Sequence, residues 1–319
     1  MDMISLSTSF GSSGCRDGAA LVQSVADAGF SSIELEYRIE SPLFHQMVPE
    51  MERTGLKVVS VHNYFPIPSI MPHSKGGGDL FLLSHPDKEE RLEAIKWSAR
   101  TIEHANNLEA AAVVLHCGRV EMAPEMKRLR HYFDTGRIDS EEARAFIDQK
   151  LQERERVKSI YVDSLLFSID RLIRIAEKQN IILGLENRYH YHELPGPDEY
   201  EILFTEFSGG PIGYWHDMGH AHANEKLGIL ADGELLKRYS DHLAGIHLHD
   251  AVGLDDHRAP GKGEIDFAAL RPFLEKDIPL VMELRSATPD SEITEGLRFI
   301  RDLMESFQKQ TSKDTGKIE

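Results

Sequence analysis

Short apolar runs recur along the whole chain, and longer amphipathic stretches lie between most of them. Eight of the runs have the nearly continuous apolar character of strands that are covered on both faces. They are MISLSTS from residue 3, SSIELEY from 31, KVVSVHN from 57, AAVVLHC from 111, IILGLEN from 181, IGYWHDM from 212, LAGIHLH from 243 and PLVMELR from 279. Eight strands alternating with helices are the pattern of a (β/α)8 barrel.

The stretches between the runs have the spacing of amphipathic helices. In DGAALVQSVADAG, residues 17–29, apolar positions recur every three or four residues and Gly29 ends the predicted helix. The segments KEERLEAIKWSARTIEHANN, SLLFSIDRLIRIAEKQN, DFAALRPFLEK and EITEGLRFIRDLMESF have the same character. This alternation predicts an α/β fold with a single TIM barrel domain, residues 1–308, and a polar C-terminal tail, residues 309–319.

Two intervals are longer than a single helix needs. Residues 64–86 are rich in Pro, Gly and Ser, and residues 118–158 are highly charged. Both follow predicted strands that end in histidine. Long loops at the C-terminal face of a barrel commonly act as lids or substrate walls, so we expect both segments to border a site, with surface decoration as the alternative.

Composition and charge narrow the range of partners. The chain of 319 residues has a formal net charge of −17, which repels phosphate backbones and makes nucleic acid an unexpected main partner. No apolar run reaches membrane-spanning length and the first residues lack a signal-peptide pattern, so a cytoplasmic protein without a membrane partner is expected. Cys15 and Cys117 are expected to be reduced thiols. The sequence leaves open whether the protein forms a homo-oligomer.

Metal-ligand residue types stand at the ends of six of the eight predicted strands. They are His62, His116, Glu186, Asp217, His247 and Glu283. In a closed parallel barrel the C-terminal strand ends converge on one mouth, so these side chains are predicted to face one another. A single histidine at a strand end would more often be a core residue, but that explanation does not suit six residues at matching positions.

Three of these residues are carboxylates, and their proximity would be strongly unfavourable without a cation. Glu186, Asp217 and Glu283, together with His247, therefore predict a divalent metal site. A ligand set of oxygen and nitrogen without thiolate suits Mn²⁺, Mg²⁺, Co²⁺ or Zn²⁺ and does not select among them.

Loop residues extend this set. His220 lies three residues after Asp217, and Asp255 and His257 follow His247; they are predicted to hold a further metal ion or substrate hydroxyls, with a turn role as the alternative for Asp255. The candidates for substrate binding are His62, His116, Arg188, His220, Arg285 and Glu36. Glu36 is preferred to Glu34 because it is nearer the strand end, and each arginine could instead pair with a carboxylate of the barrel wall.

The residues together resemble a known family. The segments SVHNYFP, VVLHCG, LGLENR, WHDMGH, HLHDAVGLDDHRAPGKGEIDF and VMELR are similar, in order and spacing, to those of the xylose isomerase-like barrel superfamily. That superfamily contains sugar and sugar-phosphate isomerases and epimerases, and also the type IV apurinic endonucleases. The resemblance covers essentially the whole barrel and implies a xylose isomerase-like TIM barrel.

The resemblance also implies ligand sets. In the sugar epimerases one metal ion would correspond to Glu186, Asp217, His247 and Glu283, and His220 would contact the substrate. A three-zinc cluster of the endonuclease type would add His62 and His116 to Glu186 for one ion, and would place another on His220, Asp255 and His257. One to three divalent ions are therefore implied, and the sequence alone does not decide the number.

The preferred hypothesis is a metal-dependent isomerase or epimerase of a small sugar or sugar phosphate. Glu186 and Glu283 would be the catalytic bases, moving a proton at the substrate carbon through an enediolate that the cation stabilises. A zinc-dependent apurinic endonuclease is the alternative. Binding of DNA requires several Lys or Arg residues near the mouth, however, and the segment 64–86 contains only Lys75. A dehydratase and a non-catalytic barrel that binds metal or sugar remain further alternatives.

Overall fold

The eight predicted strands form the wall of a closed barrel. The structure, a computed structural model, describes residues 4–274 and 276–315. The barrel strands are β1 Ile4–Ser7, β2 Ser32–Leu35, β3 Lys57–His62, β4 Ala112–Leu115, β5 Ile182–Glu186, β6 Ile212–Asp217, β7 Leu243–Leu248 and β10 Leu280–Met282. A two-stranded antiparallel hairpin, β8 Asp250–Val252 and β9 Asp255–Arg258, follows β7.

Every pairing around the barrel is parallel, in the order β1-β10-β7-β6-β5-β4-β3-β2. Parallel strands place all their C-terminal ends at the same rim. The predicted fold is therefore confirmed, and the ends of β3 to β7 and β10 bring the predicted ligand residues to one mouth.

The helices surround the barrel. They are α1 Gly18–Asp27, α2 Ser41–Thr54, α3 Lys88–Asn107, α4 Met126–Asp134, α5 Glu141–Val157, α6 Ser159–Gln179, α7 Pro197–Glu206, α8 Met218–Lys226, α9 Glu234–Tyr239, α10 Arg271–Leu274 and α11 Asp290–Thr315. The predicted helix from residue 266 is only a 3-10 turn, Phe267–Leu270, followed by α10. Helix α11 continues past residue 308, so the predicted start of the tail does not coincide with a helix end; residues 316–319 lie outside the described residues.

Trp215 fills the centre of the barrel because its neighbouring strands carry glycine. A Cβ on Gly184 would lie 2.7 Å from Cε3 of Trp215, and one on Gly245 would lie 2.5 Å from the same atom. Val114 and Val281 pack with the indole from β4 and β10. The β-bulge between Tyr214 and Trp215 lies in the same strand. The interior is thus a packed floor, and the polar side chains lie above it.

The second long segment contributes to a small apolar cluster beside the mouth that is separate from the main core. Helices α4 and α5 lie within residues 118–158, so much of this segment is helical. Leu129 and Phe146 from these helices pack with Leu227 after α8 and Leu254 of the hairpin. The first segment, residues 64–86, has little regular structure; its Gly78 lies against the ring of His116. Both segments therefore border the mouth, as predicted.

No helix within residues 4–274 and 276–315 combines the length and apolar character needed to cross a membrane. Both cysteines are free thiols; Cys117 is buried and Cys15 is half-buried.

Candidate metal centre

The side-chain alternation of the strands decides which residues reach the mouth. Trp215 points into the barrel, so Asp217, two residues later on the same face, also points inward, one layer higher. The same spacing relates Gly245 to His247 on β7. The remaining pairs with this spacing are Gly184 and Glu186, Val281 and Glu283, Val114 and His116, and Ser60 and His62. Six of the eight barrel strands thus contribute a lower interior residue and then a ligand-type residue.

The four residues of the central group meet at one point. Nδ1 of His247 lies 3.1 Å from Oε1 of Glu186, 3.0 Å from Oε2 of Glu283 and 3.6 Å from Oδ2 of Asp217. One ligand atom from each residue lies within 4.8 Å of the others, and all four residues are buried. The structure therefore brings together Glu186, Asp217, His247 and Glu283, as the sequence predicts.

The buried charges need compensation. Burial raises the pKa of Asp217, but the adjacent histidines, His220 first, hold it well below its ordinary value. Burial lowers the pKa of His247, whereas the surrounding carboxylates, Glu283 first, raise it well above its ordinary value. The group is therefore an anionic cage that raises the pKa of His247, and a bound divalent cation would balance its carboxylates more completely.

An orphaned oxygen tests whether the residues fit a metal ion. Oε2 of Glu186 is buried and has no hydrogen-bond partner among the described residues, although Nε2 of His116 lies 2.8 Å and Nε2 of His62 3.3 Å away. Ligand atoms that converge without hydrogen-bond geometry are expected where a cation completes the site. Carboxylate and imidazole donors without thiolate fit a divalent ion, and the donor set does not identify it.

Two further groups border the central one. His62, His116 and Glu186 offer ligand atoms within 4.8 Å of one another, so Glu186 is shared with the central group. His220 and His257 form the other group with Asp256. Asp255 was expected in that place but points away: its side chain is 55% exposed and pairs with Arg130 at 3.0 Å. Asp255 and Asp256 point to different sides of β9, and the left-handed backbone at His257, with a φ of 54°, breaks the alternation so that His257 joins Asp256.

The second strand requires another correction. Glu34 and Glu36 are two residues apart, so both face the interior, and both are buried. Oε2 of Glu34 lies 3.3 Å from Nε2 of His247, on the side of the ring opposite the central group, and accepts a hydrogen bond from Ser60 at 2.7 Å. Glu36 is instead held by Arg38, at 2.9 Å. The carboxylate of this strand that contacts the central group is therefore Glu34, and the substrate-binding role expected of Glu36 stays a prediction.

The two predicted substrate-binding arginines have different environments. Arg188 is buried and pairs with Glu193 at 3.2 Å and Asp79 at 3.1 Å, while its other terminal nitrogen lies 3.6 Å from Glu186. It is therefore both a wall residue and a neighbour of the cage. Arg285 is exposed, and its main-chain N–H donates to the carbonyl of His257. The structure does not bring the Arg285 side chain into the cage.

Several residues of the site escaped the sequence reasoning. Asn187 accepts the main-chain N–H of Asp217 at 2.8 Å and donates to its carbonyl at 2.9 Å, which fixes the end of β6 against β5. Tyr37 packs edge-on against His62, with ring centroids 4.9 Å apart. His249 contacts Asp217. Their signal in the sequence was position: Asn187 and His249 directly follow strands, and Tyr37 comes two residues after the end of β2. None of them belongs to a residue pattern that is specific for metal binding.

The family comparison is extensive. Residues 22–303 match the sequence profile of the family described as the xylose isomerase-like TIM barrel. Among curated proteins, protein y4fM of Sinorhizobium fredii is 32% identical over 105 residues. That alignment covers 32% of this chain and only 29% of y4fM.

Solved structures resemble the whole chain at low identity. A D-tagatose 3-epimerase-like protein has a TM-score of 0.69 at 16% identity and covers 97% of this chain and 99% of its own. An L-ribulose 3-epimerase has a TM-score of 0.68 at 15% identity, covering 98% and 97%. The TTHB071 protein of Thermus thermophilus, soaked with ZnCl₂, has a TM-score of 0.59 at 22% identity, covering 96% and 99%. At these identities the likeness establishes the fold.

Proposed function

The chain belongs to the xylose isomerase-like TIM barrel family, and from this premise we propose that it is a metal-dependent isomerase or epimerase of a sugar or sugar phosphate. The observation that carries the proposal is the convergence of Glu186 and Glu283 on Nδ1 of His247, at 3.1 and 3.0 Å, inside a buried cage. The fold likeness to an L-ribulose 3-epimerase and a D-tagatose 3-epimerase-like protein supports the same reaction class.

The order of the strands supports the use of two bases. β10 is the neighbour of β7 on one side, whereas β5 lies on the other side beyond β6. Glu186 and Glu283 therefore enter the cage from different directions, on either side of His247. When bound, a divalent cation held by Glu186, Asp217, His247 and Glu283 would stabilise negative charge on the substrate oxygens.

The two glutamates would then transfer the proton. One carboxylate takes the proton from the carbon next to the carbonyl, and the electron pair of the broken C–H bond moves to the carbonyl oxygen to give an enediolate. Return of a proton to the opposite face of that carbon inverts its configuration. Return to the neighbouring carbon, with loss of the hydroxyl proton, exchanges aldose for ketose. His220, whose Nδ1 lies 3.8 Å from Oε1 of Glu186, would hold a substrate oxygen.

Hydrogen exchange tests the proposal even when the product has not been identified. Protein loaded with Mn²⁺ is incubated in D₂O with a panel of ketoses and their phosphates, and deuterium in the recovered sugar is measured by mass spectrometry. Glu186→Gln and Glu283→Gln should each slow exchange about 10²- to 10⁴-fold. Glu121→Gln, a surface change, is the control. If no sugar in the panel exchanges hydrogen, the proposal fails.

A phosphodiesterase of the apurinic endonuclease type is the second candidate, because three adjacent groups of ligand atoms share the mouth. It requires about three metal ions per chain, to activate water and stabilise the leaving oxygen. Metal content by mass spectrometry, with a nicking assay on abasic DNA, separates the two functions. Three zinc ions with nicking would favour the endonuclease, and metal or sugar binding without exchange or nicking would favour a binding protein.

A further inference from the structure

His249 is a buried histidine that none of the three ligand-type groups includes. It follows His247 by two residues, just after the end of β7, and has no exposed surface. Its Nε2 lies 3.1 Å from Oδ1 and 3.0 Å from Oδ2 of Asp217. His249 therefore contacts both carboxylate oxygens of Asp217, although it is not itself a member of the central group.

The second ring nitrogen of His249 determines where the proton lies. Nδ1 accepts the main-chain N–H of His257 at 2.9 Å. Because the Nδ1 lone pair is used in this bond, the proton lies on Nε2, which donates it to Asp217. The rings of His249 and His257 are also stacked, with centroids 4.2 Å apart at 16°. His249 thus links the hairpin strand β9 to the carboxylate at the end of β6.

Gly219 leaves the space that this arrangement needs. A Cβ on Gly219 would lie 2.8 Å from Nδ1 of His249 and 2.8 Å from Cβ of Asp256. Real Cβ atoms do not approach other heavy atoms so closely, so a side chain here would displace the His249 ring, the hairpin or both. The position of the His249 ring therefore requires glycine at residue 219.

We propose that His249 is a positioning residue that orients Asp217 for metal binding and ties the hairpin to the metal centre. This role rests on the metal site of the proposed function but not on its reaction. A carboxylate that accepts a hydrogen bond from a fixed N–H group is held in one side-chain rotamer, and its remaining lone pairs are free to bind a cation. Without His249, Asp217 retains the bond from the main-chain N–H of His220, at 2.7 Å, but loses the side-chain donor that lies 3.0 Å from it.

Metal affinity measured by calorimetry tests the proposal without any substrate. His249→Phe keeps a ring but removes the donor, and it should weaken Mn²⁺ binding by about 10- to 100-fold. His249→Gln keeps an N–H at the end of the side chain and should bind Mn²⁺ nearly as well as the unmodified protein. His242→Phe is the matched control, because His242 precedes the same strand at the opposite end of the barrel and is exposed.

A second variant guards against a simple loss of folding. Gly219→Ala should weaken Mn²⁺ binding in the same direction, and its effect should be smaller in a protein that already carries His249→Phe. Circular dichroism of each metal-free variant verifies the fold. Equal losses in His249→Phe and His249→Gln, or no loss in either, would overturn the positioning role. If the unmodified protein binds no divalent ion, the metal site of the proposed function fails as well.

Discussion

Oδ2 of Asp79 lies 3.1 Å from a terminal nitrogen of Arg188. This ion pair joins the loop after β3 to the segment just after β5. Oδ1 of Asp79 also lies 3.4 Å from Nδ1 of His116. Gly78, beside it, packs so closely on the His116 ring that a Cβ would lie 2.6 Å from Cε1. The loop of residues 64–86 is therefore fastened over one side of the metal centre by a charged contact.

We expect Asp79→Ala to release this loop, because Arg188 would keep Glu193 as a partner while the loop would lose its anchor. Amide hydrogen exchange measured by mass spectrometry should become faster in residues 64–86, with little change in the barrel strands. Asp170→Ala, which removes a surface ion pair with Arg174 on α6, should leave this segment unchanged. Unaltered exchange in the Asp79 variant would show that other contacts hold the loop.

Divalent metal should stabilise the protein through the central group. Addition of Mn²⁺ or Zn²⁺ at about 100 times its dissociation constant is expected to add about 2.7 kcal/mol, visible as a higher Tm, and a chelator should reverse it. Asp217→Asn and Glu186→Gln should abolish most of the metal-dependent rise. The metal-free variants should unfold at or below the Tm of the metal-free parent, because, against the raising effect of burial, the neighbouring histidines hold the pKa of both carboxyl groups well below the ordinary value and so stabilise their ionised forms. A full metal response in both variants would contradict the assigned ligands.

A buried ion pair outside the central group should make the free energy of unfolding depend on pH. Arg154 donates two hydrogen bonds to Glu199, at 2.9 and 2.8 Å, and Lys158 adds a contact at 2.9 Å. Burial raises the pKa of Glu199, but these cations lower it from 4.5 to about 2. Because the folded-state pKa is depressed, the stabilisation is present above about pH 4.5 and is lost as the pH falls towards 2.

A drop of this size in pKa corresponds to about 3 kcal/mol. Glu199→Gln should therefore be less stable than the parent by roughly that amount at pH 7, and the difference should shrink as the pH approaches 2. Urea unfolding at several pH values measures it. Glu201→Gln, an exposed change on the same helix, should show no such pH dependence. A constant difference across the pH range would argue against the ion pair as its source.

The barrel floor should not accept a methyl group on β7. A Cβ on Gly245 would lie 2.5 Å from Cε3 and 2.5 Å from Cη2 of Trp215, so Gly245→Ala should cost about 1–3 kcal/mol in the free energy of unfolding. Trp215→Phe removes these ring atoms, and the cost of Gly245→Ala should be smaller in that background. Gly77→Ala, whose Cβ would be 3.8 Å from its nearest neighbour, is the control. Denaturant unfolding of the parent, the two single variants at Gly245 and Trp215, the double variant and the control measures these costs. Additive costs in the double variant would show that the indole is not the obstacle.

The sequence alone determined the fold and the residues of the central group. The apolar runs were separable because each barrel strand is covered on both faces, and Glu186, Asp217, His247 and Glu283 were visible because each lies at or beside the end of such a run. A closed parallel barrel converts that one-dimensional pattern into convergence at a single mouth. No long-range contact was needed to find them.

Only the tertiary structure decided which neighbouring residue faces the site. Asp255 and Asp256 are neighbours on β9 and point to different sides, and only the left-handed backbone at His257, with a φ of 54°, brings that residue to the side of Asp256 and His220. Glu34 reaches His247 because the β2–β3 pairing, with its bulge, sets its height in the barrel. The bond from His249 to Asp217 joins the ends of two different strands. Register, bulges and contacts between strands are properties of the folded chain, which local patterns of apolar and polar residues do not specify.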